Sequence, residues 1–511
     1  MNAPNTSRIL AAAIMASSMV FIDSTAVNVV LPILQRELHA TIVDAQWFVE
    51  AYALFLSALI LVGGSLGDHF GRVRLFLIGV IGFAGASVLC GFAQNAGQLI
   101  AARAVQGVAS AILTPGSLSI LGATFAGSQR GRAIGLWSSF TAITAAGGPV
   151  LGGFIAEHAS WRWIFFINIP LALATLVAMI GCPESRDHEK VHHVDWAGAA
   201  LATLGLGCLV FALISATGPS GWTPLDIVLL AAGFVALAFF IVVEARVPSP
   251  MMPLQLFKNR DFSAVNLMTL LQYAALGGAL FFIPFNLILA QHYSPSAAGA
   301  ALLPMITLIF ALSPWAGTLC STLGPKIPLV AGTLISALGF VTLAAPTIGG
   351  TYWTTYFAGA VVLGLGMGLV VSPLTTTVMG SVDTDHFGVA SGINNAIART
   401  AGLIAVAAFS LLVVATFNRA LDARLAGIAV SPQVKAAVIG ERSRLAAAIP
   451  PPSTPSSQRS AVAYAIARSY VSGFRLAMLA SAMLSVGSAL CALVLLGGGL
   501  RPVSAPAPRS P

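Results

Sequence analysis

Two carboxylic acids and one arginine lie inside long apolar segments, where a charged side chain is costly and is therefore a candidate for function. Asp23 and Glu50 lie in the first two such segments, and Arg103 lies in the fourth. An acid near an arginine in apolar surroundings can alternate between its protonated and ionised forms when its access to solvent changes. We therefore expect Asp23 or Glu50 to bind a transported proton and Arg103 to adjust that binding. The alternative is an ion pair that only locks three helices together.

The elements that position these residues are predicted to be membrane-spanning helices. Of 511 residues, 57% are hydrophobic and 8% are charged, whereas a soluble domain carries about a quarter charged residues. A helix needs roughly 20 apolar residues to cross the hydrocarbon layer. Apolar windows predict fourteen spans, at about 10–31, 47–67, 75–93, 98–120, 134–156, 163–181, 196–216, 224–243, 264–290, 297–320, 327–345, 355–378, 392–416 and 474–497. A single-span receptor is excluded.

The distribution of Lys and Arg predicts the orientation of these spans. Most basic residues fall on one side if both termini are cytoplasmic, whereas the short outer loops then hold only Arg36 and Arg162. This bias accounts for the net charge of +8, so we expect no nucleic-acid partner. The segment 417–473 also carries basic residues and would lie outside, but long loops cross largely regardless of charge. We expect a multi-pass protein of the cell inner (plasma) membrane.

An internal repeat divides the chain into two halves. The stretch Gly64–Arg74 (GSLGDHFGRVR) returns in outline at 317–326 (GTLCSTLGPK). The glycines of the two copies align, although Asp68 faces Ser321. Duplicated bundles of this kind build the two gates of many secondary transporters. The predicted domains are a six-helix bundle at 1–182, a cytoplasmic linker and two inserted central helices at 183–260, a second six-helix bundle at 261–499 with the long outer loop 417–473, and a disordered tail at 500–511.

Four signatures carry a resemblance to a known family. They are FIDSTAVNVVLP (Phe21–Pro32), the Gly64–Arg74 stretch, LIAARAVQGVASA (Leu99–Ala111) and GGPVLGG (Gly147–Gly153), and WRWIFFINIP (Trp161–Pro170) strengthens them. The chain resembles the fourteen-spanning drug:proton antiporters of the major facilitator superfamily. The resemblance implies an all-α integral membrane protein whose two six-helix bundles rock around a central cavity. It also implies export of hydrophobic or cationic drugs in exchange for protons. Ser321 and Glu50 depart from the family pattern.

The resemblance also implies roles for two glycine-containing motifs. A gating loop that stabilises the outward-facing state would consist of Gly64, Asp68, Gly71, Arg72 and Arg74. An antiporter motif in span 5 would consist of Gly148, Pro149, Gly152 and Gly153. Glycine lets backbones approach closely, and proline removes one helical hydrogen bond and permits a bend. The alternatives are a charged turn for the first motif and a generic close-packing site for the second.

Several polar residues within the spans are candidates for lining a substrate cavity. They are Asn28, Gln106, Gln272, Asn286, Asn395 and Arg399. Asn395 and Arg399 are four residues apart, so they share one face of a helix. The alternative is that these side chains form hydrogen bonds between helices. The glycine-rich GLGMG run at Gly364–Gly368 is predicted to pack helices closely, because nothing around it is typical of a phosphate-binding loop.

Other chemistries find little support in the sequence. His188, Glu189 and His192 spell HExxH, a zinc-protease spacing, but they lie in a short charged linker, so we expect no metal site. None of the four lysines follows a glycine and precedes Ser or Thr, so no ATP-binding P-loop exists here. We expect no enzyme activity, no cofactor, a proton gradient as driving force, and a small molecule and the lipid bilayer as partners.

Three other functions stay open from the sequence. A dedicated exporter of one metabolite or antibiotic would carry the same motifs as a multidrug exporter. A membrane metalloprotease is the remote alternative. The segment 417–473 could additionally serve as a docking surface, and the sequence leaves open whether an outer adaptor protein receives the cargo.

Overall fold

Apolar stretches of this length fold as helices because a backbone in hydrocarbon must satisfy its hydrogen bonds within the segment. The computed structural model describes residues 6–125, 127–184, 195–383, 386–428, 430–452 and 454–497, without the side chains of Asp68, Ser128, Ser321 and Ser457. The helices are α1 (Thr6–Glu37), α2 (Ile42–Phe70), α3 (Arg72–Gly91), α4 (Ala96–Thr124), α5 (Gly127–His158), α6 (Trp163–Phe166), α7 (Asn168–Ala178), α8 (Trp196–Ser215), α9 (Pro224–Glu244), α10 (Arg260–Phe285), α11 (Pro295–Ala300), α12 (Leu303–Leu323), α13 (Lys326–Ala344), α14 (Tyr352–Thr355), α15 (Phe357–Gly380), α16 (Phe387–Ala426), α17 (Pro432–Gly440) and α18 (Ser456–Leu495).

Within the described residues, thirteen helical segments are long and apolar enough to cross a membrane. The shorter apolar segment Trp163–Ala178, formed by α6 and α7, lies at the predicted span 163–181 and brings the number of spans to fourteen. The boundaries differ most at α16 and α18, which are 40 residues each. Within the predicted outer loop 417–473, residues 420–426 still belong to α16 and residues 458–473 belong to α18, whereas α17 is a separate short helix between them. Hydropathy windows detect only the apolar part of a helix, and an Ala/Arg-rich extension continues it without adding to the signal.

The two halves repeat one packing pattern. In the first half α1 packs on α5 and α7, whereas α4 packs on α2 and α3. In the second half α10 packs on α16 and α18, whereas α15 packs on α12 and α13. The two sets of contacts correspond helix for helix once α8 and α9 are set aside. This agrees with the six-plus-two-plus-six arrangement expected from the sequence.

The inserted helices lie beside the two bundles. Helix α8 packs against α2, α16 and α9, while α9 packs mainly against α8. Many large apolar side chains of α9 are exposed, as expected for a surface in contact with lipid.

Two acids close the hairpin of α8 and α9, and we call Asp195 and Glu244 the carboxyl pair. Asp195 Oδ1 accepts a hydrogen bond from Gly198 N at 2.7 Å, and Glu244 Oε2 accepts one from Met252 N at 2.9 Å. The other two oxygens, Asp195 Oδ2 and Glu244 Oε1, are buried without a hydrogen-bond partner in the described part of the chain. A Cβ on Gly198 would lie 2.6 and 2.9 Å from them, so they flank the same point.

We name the two ends of the bundle by His39, in the α1–α2 turn, and Gly71, in the α2–α3 turn. The halves meet tightly at the His39 end, where α5 crosses α11. A Cβ on Gly153 would lie 2.2 Å from the carbonyl oxygen of Pro295. The large apolar cluster at this end contains residues of both halves. Toward the Gly71 end, polar side chains of α5, α15 and α16 are exposed, namely Ser138, Ser139, Thr375, Thr376 and Asn395. The structure is therefore closed at the His39 end.

Candidate functional site

The buried acid of α1 is bonded to two side chains of α4. The guanidinium of Arg103 donates from Nη1 to Asp23 Oδ2. Gln106 Nε2 donates to Asp23 Oδ1 at 3.0 Å. All three side chains are at most 1% exposed. Each carboxylate oxygen thus accepts a hydrogen bond, and the negative charge of Asp23 is balanced inside the first half.

Arg103 is held by four further contacts. Its Nε donates to the backbone oxygen of Phe48 at 2.8 Å, and its Nη1 donates to Gln106 Oε1 at 2.6 Å. The guanidinium carbon lies 4.3 Å from the ring centroid of Tyr52 and 5.9 Å from that of Phe165. Cation–π contacts of this kind strengthen when they are desolvated. These contacts hold the guanidinium of Arg103 in one orientation, and Asp23 balances its charge.

Gln106 extends the network to two more helices. Its Nε2 also donates to Ser87 Oγ of α3 at 2.9 Å, and Asn168 Nδ2 of α7 donates to the same hydroxyl at 3.2 Å. The sequence analysis assigned Gln106 to a substrate cavity, and in this conformation its side chain is fully buried inside this network. The sequence analysis did not find Ser87 or Asn168. Both are isolated polar residues in apolar helices, and that is the only signal they offer.

Glu50 does not join the network, so the structure brings together two of the three predicted residues. Tyr52 lies against Arg103, and Glu50 is two residues away, about 200° around the helix. Glu50 therefore faces the side of α2 that packs on α8, where Gln46 Nε2 donates to Thr217 Oγ1 at 3.4 Å. Glu50 is 1% exposed, and its Oε2 has no hydrogen-bond partner among the described residues.

The predicted gating loop is a single-residue break between two helices. Gly71 has a φ of 106°, a conformation that favours glycine, and α3 begins at the next residue. Both oxygens of Glu184 accept hydrogen bonds at the start of α3, from Val73 N at 2.9 Å and Arg74 N at 3.0 Å. An anion is favourable at a helix N-terminus. A Cβ on Gly71 would lie 2.7 Å from the carboxyl carbon of Glu184, a residue that the sequence analysis missed.

Gly64, Asp68 and Arg72 also belong to the predicted gating loop. A Cβ on Gly64 would lie 3.7 Å from Pro115 Cβ, an ordinary van der Waals contact. The side chain of Asp68 lies outside the described residues, so its role in stabilising the outward-facing state stays a prediction. Arg72 begins α3 next to Gly71.

The antiporter motif lies where α5 meets both α1 and the second half. A Cβ on Gly148 would lie 1.9 Å from Thr25 Oγ1, and one on Gly152 would lie 2.8 Å from Ala26 Cβ. Gly153 faces the carbonyl of Pro295 as described above. The carbonyl oxygen of Pro149 would in turn lie 2.2 Å from a Cβ on Gly299 of α11. Close packing of the motif therefore joins the halves at the His39 end.

Most predicted cavity residues instead bond within or between helices. Asn28 Nδ2 donates to its own helix, to Ser24 O at 3.2 Å. Gln272 is buried, with Nε2 at 3.1 Å from Met367 Sδ. Asn286 was also assigned to the cavity, but it is buried and donates from Nδ2 to Tyr356 Oη at 2.7 Å. Short polar side chains in apolar helices satisfy themselves locally or across a helix contact, which the sequence alone does not reveal.

Asn395 and Arg399 differ from these residues. Asn395 is exposed and donates from Nδ2 to Ser391 O at 3.1 Å, whereas Arg399 lies one turn further from the Gly71 end and is half-buried. The GLGMG run packs helices as predicted. A Cβ on Gly364 would lie 2.7 Å from Met305 O, and one on Gly366 would lie 2.4 Å from Ser336 N.

Comparison with known proteins identifies the family. The model of the Major Facilitator Superfamily matches residues 13–407. The chain belongs to the Major Facilitator Superfamily. This facilitator is 32% identical over 485 residues to the tetracenomycin C resistance and export protein of Streptomyces glaucescens, covering 93% of this chain and 89% of the relative. It is 33% identical to a puromycin resistance protein of Streptomyces alboniger, covering 77% and 78% of the two chains.

Solved structures agree on the fold of this facilitator. A bacterial homologue of the human lysosomal transporter Spinster, in an inward-facing and occupied conformation, aligns with a TM-score of 0.68. The alignment covers 97% of each chain at 16% identity, so it supports the fold alone. The family match and the resistance and export relatives identify the protein as a multi-pass membrane transporter, and the metalloprotease alternative loses its support. The HExxH residues lie outside the described residues.

Proposed function

We propose that this facilitator exports hydrophobic or cationic compounds in exchange for protons, and that Asp23 binds the exchanged proton. The observation that carries the proposal is the fully buried Asp23 carboxylate, bonded to Arg103 and Gln106 within the first half. Relatives named for antibiotic resistance and export support the direction of transport.

The proposed cycle follows from this bonding. In the conformation closed at the His39 end, Asp23 is paired with Arg103. Opening of the His39 end moves α1 relative to α4, weakens the ion pair and admits water. The acid then binds a proton, and its return to Arg103 in the closed conformation releases that proton toward the other end. A carrier whose two conformations differ in proton affinity couples the gradient to the conformational change.

Glu50 is the second candidate for proton binding. It is buried beside α8 and has an oxygen without a hydrogen-bond partner in the described part of the chain. A lone buried carboxyl group is more stable with its proton bound. Its position between the first half and the inserted pair would let it respond to movement of α2 without contacting the cargo.

Proteoliposomes with an imposed pH gradient test the proposal. We expect Asp23→Asn to abolish uphill transport while retaining counterflow of cargo, which needs no net proton movement. Glu50→Gln shows whether the second acid contributes. Asp422→Asn is the matched control, because Asp422 is an exposed acid that pairs with Arg442 at the His39 end. If Asp23→Asn and Glu50→Gln both keep wild-type coupling, the assignment of the proton site is wrong.

The orientation is also a proposal. We infer that the Gly71 end and both termini face the cytoplasm of a cell inner membrane, because most Lys and Arg residues then lie inside. A cysteine at the exposed position Gln94, in the turn at the His39 end, should react in intact cells with a membrane-impermeant reagent. Protection of that cysteine until the cells are opened would reverse the orientation.

A dedicated exporter of one compound class is the second candidate function. The relatives named after tetracenomycin C and puromycin support it, since each name refers to a single compound. A resistance panel in a host expressing the protein separates the two candidates. Protection against several unrelated hydrophobic compounds supports a multidrug exporter, whereas protection against one class supports a dedicated one.

A further inference from the structure

Three hydroxyl groups on the adjacent helices α2 and α4 lack hydrogen-bond partners among the described residues. Tyr52 is 3% exposed and Ser110 is fully buried, yet neither hydroxyl has a partner in the part of the chain that the structure describes. Thr114, one turn beyond Ser110 on α4, has an unpartnered hydroxyl as well. Buried hydroxyl groups in proteins are nearly always bonded. Three such groups on two adjacent helices indicate a missing acceptor.

Close helix packing brings these hydroxyls together. A Cβ on Gly107 would lie 2.5 Å from Tyr52 O, so α2 and α4 are in backbone contact at this level. Ser110 follows Gly107 by one helical turn. The hydroxyls of Tyr52 and Ser110 lie near enough to interact, although they do not form a hydrogen bond with good geometry.

A guanidinium approaches the same place from the second half. Arg399 lies on α16, which packs against α2, the helix that carries Tyr52. Residues Gly392 and Ala396 of the same helix face α2, since a Cβ on Gly392 would lie 3.0 Å from Leu61 Cδ2 and Ala396 packs on the apolar cluster of the first half. Positions 392, 396 and 399 follow the spacing of one helix face. Asn395, one turn closer to the Gly71 end on the same helix, is exposed.

Arg399 has no counter-charge among the described residues. It forms no ion pair and no hydrogen bond there, whereas the fully buried Arg103 is neutralised by Asp23. Glu50 lies about 200° around α2 from Tyr52, on the side that packs on α8. An uncompensated cation within a membrane protein is costly and usually marks a substrate or ion pathway. Among the described residues, the uncompensated charge on the α16 face that packs toward Tyr52 is therefore the positive charge of Arg399.

We propose that Arg399, Tyr52 and Ser110 form a subsite that binds a carboxylate or other anionic acceptor group of the cargo. The proposal rests on the proposed export function and narrows its hydrophobic cargo to compounds that carry an acidic group. A guanidinium matches a carboxylate with two parallel N–H bonds, and the hydroxyls supply two further donors. Because Arg399 belongs to one half and the hydroxyls to the other, a bound anion connects the two halves.

Binding to the purified full-length protein tests the subsite. The probes are fluorescein, which carries a carboxylate, and fluorescein methyl ester, which lacks it, both measured by fluorescence anisotropy without a pH gradient. We expect wild-type protein to bind the acid at least 10-fold more tightly. Arg399→Gln should remove most of that preference, since a hydrogen bond to a charged group contributes about 1.5–3 kcal/mol, or roughly 10- to 150-fold. Tyr52→Phe and Ser110→Ala should each weaken acid binding by about 2- to 10-fold.

Controls make every outcome decisive. Arg419→Gln removes an exposed arginine from the same helix and should leave the preference unchanged. Arg399→Lys keeps the charge, and its thermal unfolding together with that of Arg399→Gln shows that the variants fold. A wild-type protein that binds the acid no more tightly than the ester overturns the proposal, as does an Arg399→Gln loss of equal size for both probes. Because no gradient is applied, this result is independent of proton coupling, which the transport assay tests separately.

Discussion

Adding one methyl group at the antiporter motif should shift the protein toward the conformation that opens at the His39 end. A Cβ on Gly153 would lie 2.2 Å from Pro295 O, whereas real Cβ contacts shorter than 3.0 Å essentially never occur. In Gly153→Ala the α5–α11 contact must therefore separate by about 1 Å. Overpacking of this kind costs about 1–3 kcal/mol. The cost falls on the closed conformation alone, so the equilibrium between conformations should shift by about 5- to 150-fold.

The contact is reciprocal, which provides a second variant. A Cβ on Gly299 would lie 2.2 Å from Pro149 O, so Gly299→Ala should have the same effect from the other side. Gly147→Ala is the matched control, because a Cβ at Gly147 meets nothing within 4 Å. It adds the same methyl group to the same helix, so it removes the same glycine flexibility without the clash.

The assay measures the distance between the halves at the His39 end. Spin labels on Gln94→Cys and Thr347→Cys, both exposed, report this distance by double electron–electron resonance. The five native cysteines must first be replaced. We expect a longer distance to gain population in Gly153→Ala and Gly299→Ala and not in Gly147→Ala. Wild-type distance distributions in the first two variants would show that the α5–α11 contact does not hold this end closed.

Three further predictions concern stability, each measured as thermal unfolding of the purified protein. Arg103→Gln should destabilise the protein by about 3–5 kcal/mol because it leaves the Asp23 charge buried without a partner; the double variant with Asp23→Asn should recover most of this loss, and simple additivity of the two changes would contradict the ion-pair argument. Gly71→Ala should cost at least about 1 kcal/mol through its positive φ, whereas Gly67→Ala, at a helical position with open space around it, should not. In the carboxyl pair, Glu244→Gln should raise the unfolding temperature, because the new amide can donate a hydrogen bond to the facing oxygen of Asp195. Glu244→Ala should lower the unfolding temperature. A lower unfolding temperature in both variants would mean that a cation or proton already bridges the two carboxyl groups.

The sequence by itself determined which segments cross the membrane, the duplication of the bundle and the family. The length of an apolar run is a local property, and a helix in hydrocarbon satisfies its own backbone, so neither depends on neighbouring helices. The motif glycines were also visible in the sequence. Their spacing predicted close approach, although it did not name the partners.

Only the tertiary structure decided which polar residues meet. Asp23, Glu50 and Arg103 carry equally strong signals in the sequence, yet Arg103 pairs with Asp23 while Glu50 faces α8. Ser87 was found only because α3 presents it to α4. The rotation of each helix about its axis is set by packing against other helices, and a turn of 100° per residue moves a side chain from one neighbour to another. Contacts between distant segments therefore depend on the assembled bundle.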